Sequence, residues 1–168
     1  MERRCARMGD LPQLKELFRA VIVQMERERI SIWDEVYPVV CFPGDIQNRR
    51  LYVLTEGACI LAAFALCPWS AEYGRLGWTE PEAEACVLER LAVRTDRRGE
   101  GLGAAALQYA ADAAKAKGAR YLRLLAVDFN TPAAALYRKC GFRQAEGIYY
   151  NVVDRDLTLL EYGFEKRL

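Results

Sequence analysis

Two hydrophobic periods take turns along this chain of 168 residues, and they predict where its helices and strands lie. Leu11, Leu14, Leu17, Phe18, Val21, Ile22 and Met25 fall at the three- and four-residue spacing of one helical face, so a first helix is predicted over about 11–27. Asp10 and Gln13 stand in front of it at the spacing of a capping box. From 26 to 43 no period holds. That region reads as a broken second helix and a loop, with a short helical restart from Gly44-Asp45 to Arg49. The period then shortens to two: 51–55 and 58–67 read as strands joined at Glu56-Gly57, an antiparallel hairpin.

Residues 68–81 read as a loop and 84–93 as the next strand. The alanine-rich stretch 101–117 has strong helix propensity and stops at Gly118. Tyr121–Val127 is a short apolar strand. Asn130 or Thr131 caps a helix reaching Lys139, with Pro132 in the first turn where its missing N–H costs nothing, and Gly141 ends it. Strands at 142–148 and 157–164 close the chain. A hairpin followed by strand, helix, strand, helix, strand places the fold in the α/β class, as a mixed sheet with helices on its faces. No repeat, low-complexity tract or Pro/Gly/Ser linker breaks the pattern, so one domain over 1–168 is expected.

Composition narrows the function. The chain is 52% hydrophobic and 28% charged with a formal net charge of +1, so no field draws it to nucleic acid or to a membrane. No run is long and apolar enough to span a bilayer, and the N-terminus has no apolar signal segment. Cysteines at 5, 41, 59, 67, 86 and 140 form no C-x-x-C pair and there is no histidine, so no metal site is expected. Cys59, Cys67 and Cys86 lie in apolar runs where a reduced thiol packs as a small hydrophobe, which favours a cytoplasmic protein over a disulfide scaffold. Acid–base chemistry must fall to carboxylates, tyrosine, cysteine, lysine or water.

The strongest chemical signal follows the strand ending Leu88-Glu-Arg-Leu-Ala-Val93. The turn Arg98-Gly99-Glu100-Gly101-Leu102-Gly103 fits Arg/Gln-x-x-Gly-x-Gly/Ala and opens directly into a helix. Glycines there let phosphate oxygens approach backbone N–H groups at the positive end of the helix dipole, and Arg94, Arg97 and Arg98 can add charge. A glycine-rich loop with a solvated basic rim is the plainer alternative. A Walker loop is excluded because no Gly-Lys-Ser/Thr closes the turn. Gly99-x-Gly101-x-x-Ala104 matches the dinucleotide fingerprint formally, but its first glycine lies too far beyond the strand.

Some 30 residues on, Asn130-x-x-Ala133-x-x-Leu136-Tyr137-x-x-x-Gly141-Phe142 forms a second unusual string. The two passages, in this order and at this separation, resemble the coenzyme A-binding motifs of the GNAT superfamily of acetyl-CoA-dependent N-acetyltransferases. The closing Tyr162-Gly-Phe-Glu-Lys-Arg-Leu168 is similar to that family's last strand. The resemblance implies a central, mostly antiparallel sheet with splayed parallel strands in its middle and helices on both faces. It implies acetyl-CoA as cofactor, its pyrophosphate on Arg98, Gly99, Glu100, Gly101, Leu102, Gly103 and Ala104. Main-chain groups of Leu91, Ala92 and Val93 would run along the pantetheine arm, with Asn130, Ala133 and Tyr137 contributing from the second motif.

The chemistry implied is transfer of an acetyl group to a primary amine of a small molecule or peptide, directly within a ternary complex. Tyr137 is the candidate general acid: a phenol near ~10 can protonate a thiolate near ~8.5 at a cost of about 2 kcal/mol. Glu89 is the candidate base, since strand alternation puts it on one face with Val87, Leu91 and Val93, and a carboxylate among apolar side chains is a stronger base than one in water. The Leu91 N–H is the candidate oxyanion donor. Each has a structural alternative: Asn130 as a plain helix cap, Tyr137 as packing, Glu89 and Arg90 as solvated charges at a sheet edge. Cys140, at a helix C-terminus, is a poor nucleophile. Trp33, Tyr37, Trp69, Tyr73 and Trp78 would form either an aromatic acceptor wall or core. A non-catalytic acyl-CoA sensor is the alternative function, and a homodimer is possible. The acceptor amine and the acyl length are not legible.

Overall fold

A strongly apolar face explains why Leu11–Arg27 forms the first helix, α1: its Leu14, Leu17, Phe18, Val21 and Ile22 are all buried. In chain order the computed structural model then has α2 (Phe42–Gln47), α3 (Leu102–Ala116) and α4 (Thr131–Lys139). The strands are β1 (Glu2–Cys5), β2 (Leu51–Glu56), β3 (Cys59–Pro68), β4 (Ala85–Val93), β5 (Tyr121–Val127), β6 (Arg143–Gln144), β7 (Tyr149–Val152) and β8 (Thr158–Arg167). Residues 1–168 are described, except for the side chains of Ala71 and Glu72. Hydrogen bonding follows the strand order β1-β2-β3-β4-β5-β8-β6, with β7 also on β8. β4 and β5 are parallel, and β1–β2, β2–β3, β5–β8, β6–β8 and β7–β8 are antiparallel. This is a mixed α/β fold. The chain divides into two compact units, Met1–Leu66 with Glu89–Tyr109 and Cys67–Leu88 with Ala110–Leu168.

In the first unit β2 buries every residue from Leu51 to Thr55, and β3 buries every residue from Ile60 to Leu66. Phe18 of α1 meets Phe42 of α2 at 4.7 Å and Trp33 at 5.4 Å between ring centroids, so Trp33 is packing. The capping box does not form. Asp10 makes no side-chain cap; its carboxylate accepts from Arg4 at 2.7 and 2.9 Å and from the Arg7 N–H at 2.7 Å. Gln13 turns to the hairpin instead, donating to Ala58 O at 2.9 Å and accepting from Ile60 N–H at 3.2 Å. The charge-assisted pair with Arg4 and the Arg7 N–H together occupy the Asp10 carboxylate.

In the second unit the parallel pairing runs from Ala85↔Tyr121 to Leu88↔Leu124, while β5 pairs with β8 along its full length. Trp78, Leu76 and Ala145 form a small buried cluster with Trp69, Tyr73 and Tyr149 packed against it. These three aromatics of 68–81 are therefore core rather than an acceptor wall. Gly163 of β8 lies against them: a Cβ there would stand 2.6 Å from the Trp78 ring and 2.8 Å from Leu76. Gly163→Val is thus expected to destabilise by roughly 2–3 kcal/mol through overpacking. Chemical denaturation checks this, and a loss below half a kilocalorie would show that the cluster yields freely.

Candidate active site

The glycine turn lies wholly in the first unit. After β4 comes one 3-10 turn, Thr95–Arg97, then Gly99 at φ +88° and Gly101 at φ +76°, and α3 starts at Leu102. An added Cβ would meet nothing within 4 Å at either glycine, so what glycine supplies is the left-handed backbone, which costs other residues about 1–2 kcal/mol. The Ala105 N–H bonds Gly101 O at 3.0 Å. The amides of Leu102, Gly103 and Ala104 come before it, as the N-terminal donors that a helix leaves unpaired. N–H groups at a helix start are the kind of donor that accepts phosphate oxygens.

Their arginine neighbours behave differently from the expectation. Each guanidinium already sits on a carboxylate: Arg94 on Asp96 (2.6 and 2.8 Å), Arg97 on Glu100 (2.8 Å) and Glu56 (2.8 Å), Arg98 on Glu28 (2.7 Å). Arg98 and Gln24 together hold the Glu28 carboxyl below the usual carboxylate range. The amides, not the arginines, are the available anion contacts. Glu28→Gln frees Arg98 and is expected to tighten coenzyme A binding roughly twofold to threefold at low salt, the scale of an exposed ion pair. Weaker binding in calorimetric titration would mean instead that Glu28 orders Arg98 for the ligand. A cavity of about 240 Å³ beside Arg94 and Asp96 is lined by Gln13, Glu16, Leu17, Ala20, Ile60 and Thr95, none of them a sequence-predicted site residue.

The second half of β4 holds Glu89, Leu91, Ala92 and Val93, in the same unit as the turn. Alternation fails here, because Arg90 has φ +54°, the signature of a bulge in mid-strand. Nor is Arg90 solvated: its side chain is 7% exposed, paired with Asp45 of α2 at 3.0 Å and with the adjacent Glu89. Glu89 keeps 29% of its side chain exposed. Burial pushes the Asp45 carboxyl up against the opposing pull of Arg90. Tyr37, 41% exposed as a residue, also senses the group: burial pushes its phenol up against the opposing pull of Arg90. Leu91 and Val93 are half-buried and Ala92 is buried.

Asn130, Ala133 and Tyr137 lie together on α4 in the second unit. Asn130 is the N-cap, its side-chain oxygen accepting from Ala133 N–H at 3.3 Å. Tyr137 is buried beside Phe164 (5.5 Å) and Phe142 (6.1 Å), and desolvation pushes its phenol up to about 12. It therefore holds its proton at every physiological pH. Donation to a thiolate near ~8.5 then costs roughly 5 kcal/mol instead of 2, still well within the barrier of about 16 kcal/mol that corresponds to ten turnovers per second.

With the turn and α4 in place, comparison with known proteins becomes specific. A family model described as the acetyltransferase (GNAT) family matches residues 20–142, well over half of the chain. The chain belongs to that family. Its curated relatives include streptothricin acetyltransferase of Streptomyces lavendulae, 32% identical over 99 residues. That match covers 59% of this chain and 47% of the relative, so the chain spans about half of that protein's length. An L-methionine sulfoximine/L-methionine sulfone acetyltransferase of Pseudomonas aeruginosa is 28% identical over 144 residues, 83% of this chain and 78% of that one. Among solved structures, yncA of Salmonella typhimurium, which carries its cofactor acetyl-CoA, superposes with a TM-score of 0.72 at 16% identity, over all of this chain and 94% of its own.

The family model spans the glycine turn, α4 and the Asp45–Arg90–Glu89 group alike. Sequence reading gave Asp45 only a place in a short helix, and had solvated Glu89 and Arg90 as the alternative to a catalytic Glu89; the structure removes that alternative for Arg90. One signal was there to be used: an arginine set among Leu88, Leu91, Ala92 and Val93 has to find a carboxylate if its strand is buried.

Proposed function

We propose that this protein moves an acetyl group from acetyl-CoA to a primary amine by direct transfer. The observation that carries the reading is the pair of left-handed glycines leading straight into the first residues of α3, Leu102, Gly103 and Ala104. Acetyl-CoA supplies an activated acyl thioester; the chain's residues supply the rest. Leu91, Ala92 and Val93 offer main-chain groups to the pantetheine arm, and Asn130 and Ala133 offer α4's first turn. Glu89 takes the proton from the attacking amine, directly or through water. The Leu91 N–H donates to the oxygen that gains charge, and the Tyr137 hydroxyl gives its proton to the departing sulfur. No covalent enzyme intermediate is needed.

The relatives act, by their names, on streptothricin and on methionine sulfoximine or sulfone, which supports a small-molecule amine as the acceptor class here. The test is turnover of acetyl-CoA with a panel of amines, followed by release of free thiol. Tight coenzyme A binding with no thiol release across the panel would support an acyl-CoA sensor in its place. A Tyr137→Phe variant with unchanged turnover would remove the phenol from the mechanism while leaving the transfer itself standing.

A further inference from the structure

We propose that Asp45 is a positioning residue for acyl transfer, acting through Arg90 to hold the β4 bulge and the Glu89 carboxylate in place. The inference rests on the reading of Glu89 as the base. Its ground is a buried bridge that the glycine turn and α4 do not require. Arg90 adopts φ +54°, a conformation an arginine enters only at a cost of roughly 1–3 kcal/mol, so surrounding contacts must hold it there. The contacts are at hand: Asp45 at 3.0 Å on one side and Glu89 on the other. Asp45 and Arg90 have side chains 9% and 7% exposed, whereas Glu89 at 29% is the one member open enough to meet a substrate.

The order of exposure assigns the roles. A planar guanidinium can hold two carboxylates at fixed angles, which a lysine ammonium cannot. With Asp45 in place, Arg90 is anchored from α2 and presents a fixed edge to Glu89. Without it, Arg90 would lose its ion pair to α2 at a backbone position that resists the conformation required.

A double-mutant cycle with purified full-length protein tests this, with kcat and both KM values measured for the wild type, Glu89→Gln, Asp45→Asn and the double variant. Glu89→Gln is expected to lower kcat on the order of 100-fold, and Asp45→Asn about tenfold with KM for acetyl-CoA within twofold. The double variant should be no slower than Glu89→Gln alone, since Asp45 works through Glu89. Arg90→Lys, which keeps the buried charge, should reproduce the Asp45→Asn loss and covers the case in which Asp45→Asn fails to fold. An inactive Glu89→Gln beside a fully active Asp45→Asn or Arg90→Lys would overturn the positioning role and leave the base assignment intact. Losses that multiply in the double variant would also overturn it. A fully active Glu89→Gln would overturn the base assignment and the positioning role with it.

Discussion

Replacing Glu165 by alanine is expected to cost about 3–5 kcal/mol, because it strands a buried arginine. Arg123 has no exposed side-chain surface and Glu165 has 2%, and their charges face each other at 3.5 Å. Arg123 also donates to Glu80 O at 2.5 Å and lies 4.5 and 4.9 Å from the Trp69 and Trp78 rings. Burial pulls its guanidinium below its ordinary value, but an arginine still keeps its proton, so the charge cannot be shed when the partner goes. Glu165 further accepts from the Thr79 N–H at 2.8 Å, the Thr79 hydroxyl at 2.6 Å and Arg143 at 2.6 Å. At this chain length the loss corresponds to a fall in Tm of roughly 10 °C or more. Arg143→Ala is the contrast: that side chain is 50% exposed, so its removal should cost about 1 kcal/mol or less.

The same carboxylate gives the fold an acid limb. Burial works to raise Glu165, yet the bonds from Thr79 and Arg143 prevail and hold it below the carboxylate range. A depressed folded-state value contributes stability that is complete above the unfolded value of about 4.3 and drains away as pH falls. Glu165→Ala should therefore lose most at neutral pH and show a flatter decline below about pH 4. Urea unfolding at pH 7 and pH 4 reads both effects; equal losses at the two values would mean that the carboxylate is not the source.

Glu89→Gln is expected to reduce kcat by about 100-fold at pH 7, within the span of general-base effects. A lysine-like amine of pKa ~10.4 is protonated at pH 7 by a margin worth about 4.6 kcal/mol, and the glutamine can no longer take that proton. The variant should then depend on the free amine already in solution. Its rate should climb up to tenfold per pH unit toward ~10, while the wild type levels off earlier. A flat, low profile would mean that Glu89 shapes the site without moving the proton. A variant as active as the wild type at pH 7 would move the base elsewhere.

The parts of the fold with a clean period were legible in sequence. α1 and β5 begin and end where their spacing places them and α4 where its Asn130 cap places it, while the hairpin of β2 and β3 turns at Gly57-Ala58, one residue beyond the expected Glu56-Gly57. β1 was not legible, because Glu2-Arg-Arg-Cys5 is a short polar edge strand with no buried residue to reveal it. β7 was missed for a related reason: Tyr149–Val152 alternates only between half-buried and exposed. Residues 142–148, expected as one strand, give only the two-residue β6, while β8 runs on to Arg167. The glycine turn was readable since its requirement is local, a backbone conformation. The Asp45–Arg90 bridge was not, since it joins residues 45 positions apart and depends on a bulge that alternation cannot foresee. The depth of Tyr137's burial likewise comes from Phe142 and Phe164, which meet it only in three dimensions.

Backbone amide shifts of ¹⁵N-labelled protein, titrated with coenzyme A and separately with pantetheine, address the cofactor grip most directly. Coenzyme A should move the signals of Gly101, Leu102, Gly103 and Ala104 more than any others, and pantetheine, which has no diphosphate, should leave those four in place. Coenzyme A binding that left these signals still while shifting others would contradict the account.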